Sequence, residues 1–354
     1  MEADDTSYYP QSPEHSVDDG LCKNCKTNPR TAGNHAFQLC QDCRLQLIRF
    51  PIPKWIWAFA GGVLLIMIAG LLRMPKYLSA SIHLARGEKA MADHRYLTAE
   101  HELKKVAALF PARTDINGKL LIATAYNYDV TQYAQLVAKL EGQTIEDGEL
   151  LEQMNTASQL IMQHFPQDTS LYARIEKVKN DPDSLEYIYF SLAGKDDAAV
   201  AGYIAADHMY EMKLYRRSDS LLALVLQQNP SLYAAQGLRI ATKRSLGDYE
   251  TSLALCDELL KINKENLPII SAKARTELKR KNDRQARKYA YEAMAIDAHN
   301  ISSLEAMAMC EFFAGKKDES NELLAEIRRS EQESGDTSIS ERLSKILSGQ
   351  EIYR

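Results

Sequence analysis

The chain has 354 residues, of which 45% are hydrophobic and 26% charged, a balance that allows two domains and a packed core. Its formal net charge is only -5 and acids and bases are interspersed, so the basic footprint of a nucleic-acid binder is missing. Four of the six cysteines lie between Cys22 and Cys43, and Cys256 and Cys310 stand alone, which excludes the evenly stapled framework of a small secreted domain.

Residues 1–20 carry Pro10, Pro13, several acids and no apolar period. They cannot bury enough surface to offset the entropy of ordering, and read as a disordered lead. Residues 21–50 follow as a small knuckle. Its pairs Cys22-x2-Cys25 and Cys40-x2-Cys43 are separated by fourteen residues that include the turn formers Asn28, Pro29 and Gly33. Two such pairs can fold together and hold Zn²⁺ in a closed, structural thiolate tetrahedron, from which no catalysis follows. Iron, two disulfides or a redox pair are the competing readings, the last needing a βαβ context that the segment lacks. His15 and His35 read as solvated loop residues, because four sulfurs already saturate a metal. With the run CQDCRLQLIRFPIPKWIW from Cys40 to Trp57, the cluster resembles the zinc-ribbon and B-box-like knuckles found ahead of membrane spans in bacterial proteins. Lys23, Lys26 and Arg30 are too few bases to suggest nucleic acid.

From Trp55 to Leu72 there is no charge for 18 residues, which at about 1.5 Å per residue nearly matches the bilayer's hydrocarbon thickness. A single transmembrane helix is expected over 54–73, with Trp55 and Trp57 at headgroup level. A buried core helix or a cleaved signal peptide fits less well, given the lack of a polar face and the long segment ahead of it. Arg44, Arg49 and Lys54 on one flank nearly balance Arg73, Lys76, Arg86 and Lys89 on the other, so charge does not set orientation. Thiols kept for metal belong in a reducing compartment, which puts the amino terminus in the cytoplasm and the larger part across the membrane.

Residues 77–352 read as helical repeats. The blocks 199–230, 233–264, 267–298 and 301–332 are offset by 34 residues, and 80–111 fits the same pattern through Gly87, Tyr96, Ala99 and Pro111. Ala206, Tyr215, Ser218, Val225 and Pro230 in one block, Tyr249 and Ser252 in the next, Ala274, Ala286 and Ala293, then Ala308 and Ser320, resemble the tetratricopeptide repeat (TPR) family. Residues 112–198 are expected to be helical but out of register, and 338–347 a capping helix. Cys256 and Cys310 read as small core residues.

This resemblance implies an all-α fold, a TPR-like right-handed superhelix whose first helices line a concave wall that binds peptides. Carried over by position, that wall includes Tyr203, Asp207, Tyr210 and Glu211, then Arg244, Arg275 and Lys279, then Glu305, Met309, Phe312 and Phe313. For Phe312 and Phe313 the plain alternative is packing under the last helix. Tyr203 and Asp207 depart from the lysines and asparagines with which one TPR subtype clamps a chaperone's terminal carboxylate. The repeats hold no phosphate loop, no GxSxG and no HExxH, and their histidines share no metal spacing beyond a His94/His101 pair. The expectation is a non-enzymatic, membrane-anchored scaffold for protein or peptide partners in envelope assembly or protein translocation, contacting the lipid bilayer but neither nucleic acid nor a small-molecule substrate. A regulator whose knuckle senses metal or redox state is the alternative.

Overall fold

The computed structural model describes residues 20–31, 38–48, 52–335 and 337–354. The expected lead over 1–19, with His15, and the loop residues Gly33 and His35 lie outside them. Among the described residues every regular element is a helix, apart from one isolated bridge between Leu21 and Pro29. The chain divides into two units, Met1–Pro75 and Lys76–Arg354.

The first unit holds the cysteine knuckle, α1 (Gln41–Ile48) and the beginning of α2 (Lys54–Ala92). The described residues bury none of the apolar side chains from Trp55 to Leu72; Leu65 is 68% exposed and Leu72 76%. Pro75, which cannot donate a helical hydrogen bond, marks the boundary inside α2.

The second unit is a stack of helical hairpins. Ala80 to Ala92 of α2 pairs with α3 (Tyr96–Leu109), and α4 (Thr114–Tyr126) with α5 (Val130–Leu140). Then come α6 (Gly148–Met162), α7 (Ser170–Glu176) and α8 (Pro182–Ser191). The later pairs are α9 (Ala198–Glu211) with α10 (Tyr215–Gln228), and α11 (Tyr233–Ser245) with α12 (Tyr249–Ile262). They continue as α13 (Leu267–Lys279) with α14 (Asp283–Ile296), and α15 (Ile301–Phe313) with α16 (Lys317–Ser334), before α17 (Ser338–Leu347).

Two devices set the period. The second helices α10, α12, α14 and α16 each begin 34 residues after the last, and two residues ahead of each stands a left-handed turn residue: Lys213 (φ 63°), Gly247 (81°), Lys281 (64°) or Gly315 (86°). Inside each hairpin, a small residue of the second helix lies against the first. Ser218 Oγ donates to the Ala206 carbonyl at 2.8 Å, Ser252 to Ile240 at 3.0 Å and Ser320 to Ala308 at 2.8 Å; Ala286 holds the same place in the third pair. All four are fully buried, so the helices approach closely and each hydroxyl finds its partner in the facing backbone.

The expectation that the register is lost from residue 112 needs correction. Helix α4 begins 34 residues after Ala80 and α6 a further 34 on, while α3 and α5 begin 34 apart, behind the left-handed residues His94 (φ 58°) and Tyr128 (57°). The register breaks only after α6, where α7 has 7 residues and α8 has 10. Tyr133 occupies the position where the other pairs carry Ala or Ser, Leu121 one where all but the α11–α12 pair, with Ile240, carry Gly or Ala, and both are buried. The hairpin is therefore present without its usual composition.

The early turns dock on the loop between α12 and α13, where Lys264 N donates to the His94 carbonyl at 2.9 Å and Asn263 Nδ2 to the Tyr126 carbonyl at 3.0 Å. The Glu265 carboxylate accepts from Thr98 N and Thr98 Oγ1, both at 2.7 Å, and from Arg95 Nε at 2.8 Å. Tyr128 stacks on Tyr233 with centroids 3.7 Å apart, and Gln163 and Ser231 exchange hydrogen bonds of 2.7 and 2.9 Å.

Candidate functional site

The knuckle is organised by backbone. Cys22 N donates to the Asn28 carbonyl (2.8 Å) and Lys26 N to the Cys22 carbonyl (2.9 Å), closing a tight turn in which Lys26 takes φ 56°. Lys23 N reaches the Gln38 carbonyl at 3.0 Å, which brings the second cysteine pair alongside, with Cys43 on the first turn of α1. The four Sγ atoms lie within 4.8 Å of one another, and Cys25 and Cys40 are 3.8 Å apart. A tetrahedron with metal–sulfur bonds of about 2.3 Å spaces its sulfurs by about 3.8 Å. That spacing is far beyond the roughly 2.05 Å of a disulfide, and all four cysteines are free.

Hydrogen bonds from the Thr27 hydroxyl and the Thr27 and Asn28 amides pull the Cys25 thiol down to about 5. Cys22 is lowered too, first by the Cys25 amide. At Cys43 the Asn24 amide favours the thiolate, yet the crowding sulfurs of Cys40, Cys25 and Cys22, with burial, push it up to about 12. Two sulfurs are drawn towards the thiolate and a third resists ionising beside them, a conflict that a bound cation would remove. Among the described residues this is the only group of three or more His, Cys, Asp and Glu whose ligand atoms gather for a metal, and neither His94 nor His101 belongs to one.

In the repeats, Tyr210, Arg244, Arg275 and Lys279 come from three successive first helices to line one cavity of about 430 Å³. Arg275 Nη1 pairs with Glu305 at 3.0 Å, and Arg342 of α17 grips the same carboxylate. Burial opposes ionisation of Glu305, but Arg275 and Arg342 outweigh it and hold its pKa down. Met309 also lines the cavity, and Tyr210 Oη lies 3.3 Å from Ser245 Oγ.

The other expected wall residues lie elsewhere. Tyr203 packs against the core formed by α8, α9 and α10, and Asp207 is half-buried, its pKa raised by burial and then by Glu211. Phe312 meets Phe313 edge to face at 5.2 Å, and Phe313 lies under the guanidinium of Arg354 at 4.2 Å, packed against the core with Leu347. Phe313 is therefore not an open anchor, because the chain's own 350–354 segment covers it. Sequence reasoning missed Lys213, Arg342 and Tyr353, which also line the cavity. It also missed a second cavity of about 660 Å³ in the early hairpins, lined by Glu88, Met91, Ile122, Tyr126, Glu149 and Glu152. Applying the inward positions to blocks beginning at 80, 114 and 148 finds all six.

The fold is a TPR-like α-solenoid. Solved structures similar to this chain include a tetratricopeptide repeat protein from Parabacteroides merdae, at 13% identity over 77% of this chain and 99% of that one, with a TM-score of 0.38. Pseudomonas aeruginosa pilF aligns at 12% identity over the same shares of the two chains (TM-score 0.30). The P58(IPK) TPR domain aligns at 14% over 78% of this chain and 99% of its own (0.23). No protein-family model and no curated protein matches the chain. Curvature in stacked hairpins creates extended concave surfaces.

Proposed function

We propose that the chain is a membrane-anchored scaffold that captures a partner protein or peptide on the inner wall of its repeats. The observation that carries this reading is the convergence of Tyr210, Arg244, Arg275 and Lys279 on one cavity from successive first helices. Aromatic and arginine side chains are the usual anchors of protein interfaces. The unburied, uncharged stretch from Trp55 to Leu72 supports a bilayer span. Sulfur spacing supports zinc at Cys22, Cys25, Cys40 and Cys43, each a ligand, in a structural role that folds the knuckle. With those thiols in the reducing cytoplasm and the repeats across the bilayer, the clients are exported or envelope proteins.

A photo-crosslinking amino acid placed at Tyr210 in cells should yield protein adducts, and one at the exposed Tyr291 of α14 should not. Adducts from Tyr291 alone would remove the inner wall as the capture surface. Protease added to right-side-out vesicles should digest the repeats; digestion only from the cytoplasmic side would reverse the orientation. Replacing Cys22 and Cys40 by serine should abolish zinc in the purified protein, and stoichiometric zinc persisting in that variant excludes the knuckle as its ligand.

A further inference from the structure

The α11–α15 cavity holds more positive charge than it balances. Lys213, Arg244, Arg275, Lys279 and Arg342 line it against one lining carboxylate, the exposed Glu351, and the buried Glu305 behind them is already engaged by both Arg275 and Arg342. Arg244 is only 7% exposed, and its Nη1 is buried without a hydrogen-bond partner, as is Nε of Arg275. A buried guanidinium N–H left without an acceptor is a costly arrangement, and an incoming carboxylate relieves it with charge-assisted bonds. Burial, then the charge of Arg244, lowers the pKa of Lys279, a further sign that cations crowd this wall.

Across the mouth of the cavity lies the segment Gln350–Arg354, which begins after Gly349 with its left-handed φ of 77°. Tyr353 Oη donates to the Arg275 carbonyl at 2.9 Å, and its ring lies 4.6 Å from Lys279 Nζ. Arg354 pairs with the Asp283 carboxylate and caps Phe313. Between these attachments and the hinge, Ile352 is 87% exposed. The strap is thus held by these two side chains and by one backbone bond, Glu351 N to the Lys345 carbonyl at 2.9 Å, and it leaves Arg244 Nη1 without a partner.

We propose that this cavity is an anion site that takes an acidic side chain of a partner peptide, and that the strap Gln350–Arg354 must lift at Gly349 to admit it. The proposal rests on the inner-wall reading and names the chemistry of its ligand. Arg244 supplies the open donor, Lys279 guides the carboxylate in, and Tyr353 competes for the mouth.

The test is fluorescence anisotropy of a labelled hexaglutamate peptide with the full chain in detergent, using hexalysine as control. Saturable binding is expected, weakened at least about tenfold by Arg244→Gln. The rim variant Lys279→Met should weaken it several-fold, and gives a second readout should Arg244→Gln fail to fold by circular dichroism. The strap variant Tyr353→Ala/Arg354→Ala should tighten binding several-fold. Absence of binding in both the native chain and the strap variant overturns the site. Affinity equal in all variants places the peptide elsewhere and also overturns it. Unchanged affinity in the strap variant alone removes the strap as a gate, and inorganic phosphate binding as tightly as the peptide overturns the assignment to a peptide side chain. Cellular crosslinks from Tyr210 without hexaglutamate binding leave the scaffold reading standing and remove this one.

Discussion

The early hairpins (α2 to α6) and the later ones (α9 to α16) share a 34-residue period and a left-handed residue ahead of each second helix, but the α4–α5 hairpin closes differently from the rest. In the later hairpins small residues bring the helices together, and Ser218, Ser252 and Ser320 tie them through buried hydroxyls. In the α4–α5 hairpin Leu121 and Tyr133 fill those places. The inner walls differ too: Glu88, Glu149 and Glu152 mark the early cavity, Arg244, Arg275 and Lys279 the later one. Turn geometry and helix length therefore set the repeat, while the small positions are one packing solution among several.

The strongest way to break the relation between these regions is at their junction. Glu265 is 5% exposed and accepts three hydrogen bonds from Thr98 and Arg95, nearly 170 residues away in sequence. Glu265→Ala should cost about 3 kcal/mol, because a buried network loses its acceptor, although the half-exposed Arg95 recovers part through water. The larger signature is loss of cooperativity: urea unfolding should split into an early and a late transition. A single transition with unchanged slope would show that the two regions are coupled by something else.

Next comes the close packing of the later hairpins. A Cβ at Gly202 would sit 2.4 Å from Val225 Cγ2 and 2.7 Å from the Tyr189 ring, whereas nothing lies within 4 Å at Gly237. Gly202→Ala should destabilise by about 1–3 kcal/mol through overpacking, while Gly237→Ala should be neutral or stabilising by up to about 1 kcal/mol through helix propensity. Urea midpoints of the two variants check this, and equal shifts would mean that the α8–α9–α10 core yields easily. A smaller effect is expected at the serine ties. Ser252→Ala should cost about 1 kcal/mol, the net worth of one buried hydrogen bond, and Ala286 shows that the fold accepts alanine there.

These differences also explain what was legible in the sequence. The later blocks could be read because small residues recur at fixed offsets, Ala206, Ala274 and Ala308 at one position and Ser218, Ser252, Ala286 and Ser320 at another. The early register was hidden because Leu121 and Tyr133 break that composition without breaking the turn at Tyr128. The cysteine cluster could be read because its two pairs are local in sequence. Tyr210, Arg244, Arg275 and Lys279 followed from helical position, but Arg342 and Tyr353 lie outside the repeat period. Their return onto the wall, like the pairing of Glu265 with Thr98, carries no local signal. For Phe313 the sequence left two readings open for the same reason: the Arg354 that covers it belongs to no repeat.

The smallest expected effect separates the two regions by pH. His164 Nε2 accepts the Ala234 N–H at 3.2 Å, with the Tyr128 ring edge-on at 5.6 Å, so the junction holds the imidazole neutral. Burial lowers its pKa from the ordinary 6.5, against the opposing pull of the Leu160 and Ile161 carbonyls. Below 6.5 the unfolded chain therefore binds a proton that the folded one resists, so stability rises with pH through this window. The contribution of His164 is fully present above 6.5 and is lost as pH falls towards its folded value. Urea midpoints should drop more between pH 7.5 and pH 5.5 for the native chain than for His164→Gln. A drop of equal size in both proteins would assign the pH response to groups outside this contact, and would leave the Glu265 network as the bond that decides whether the two halves unfold together.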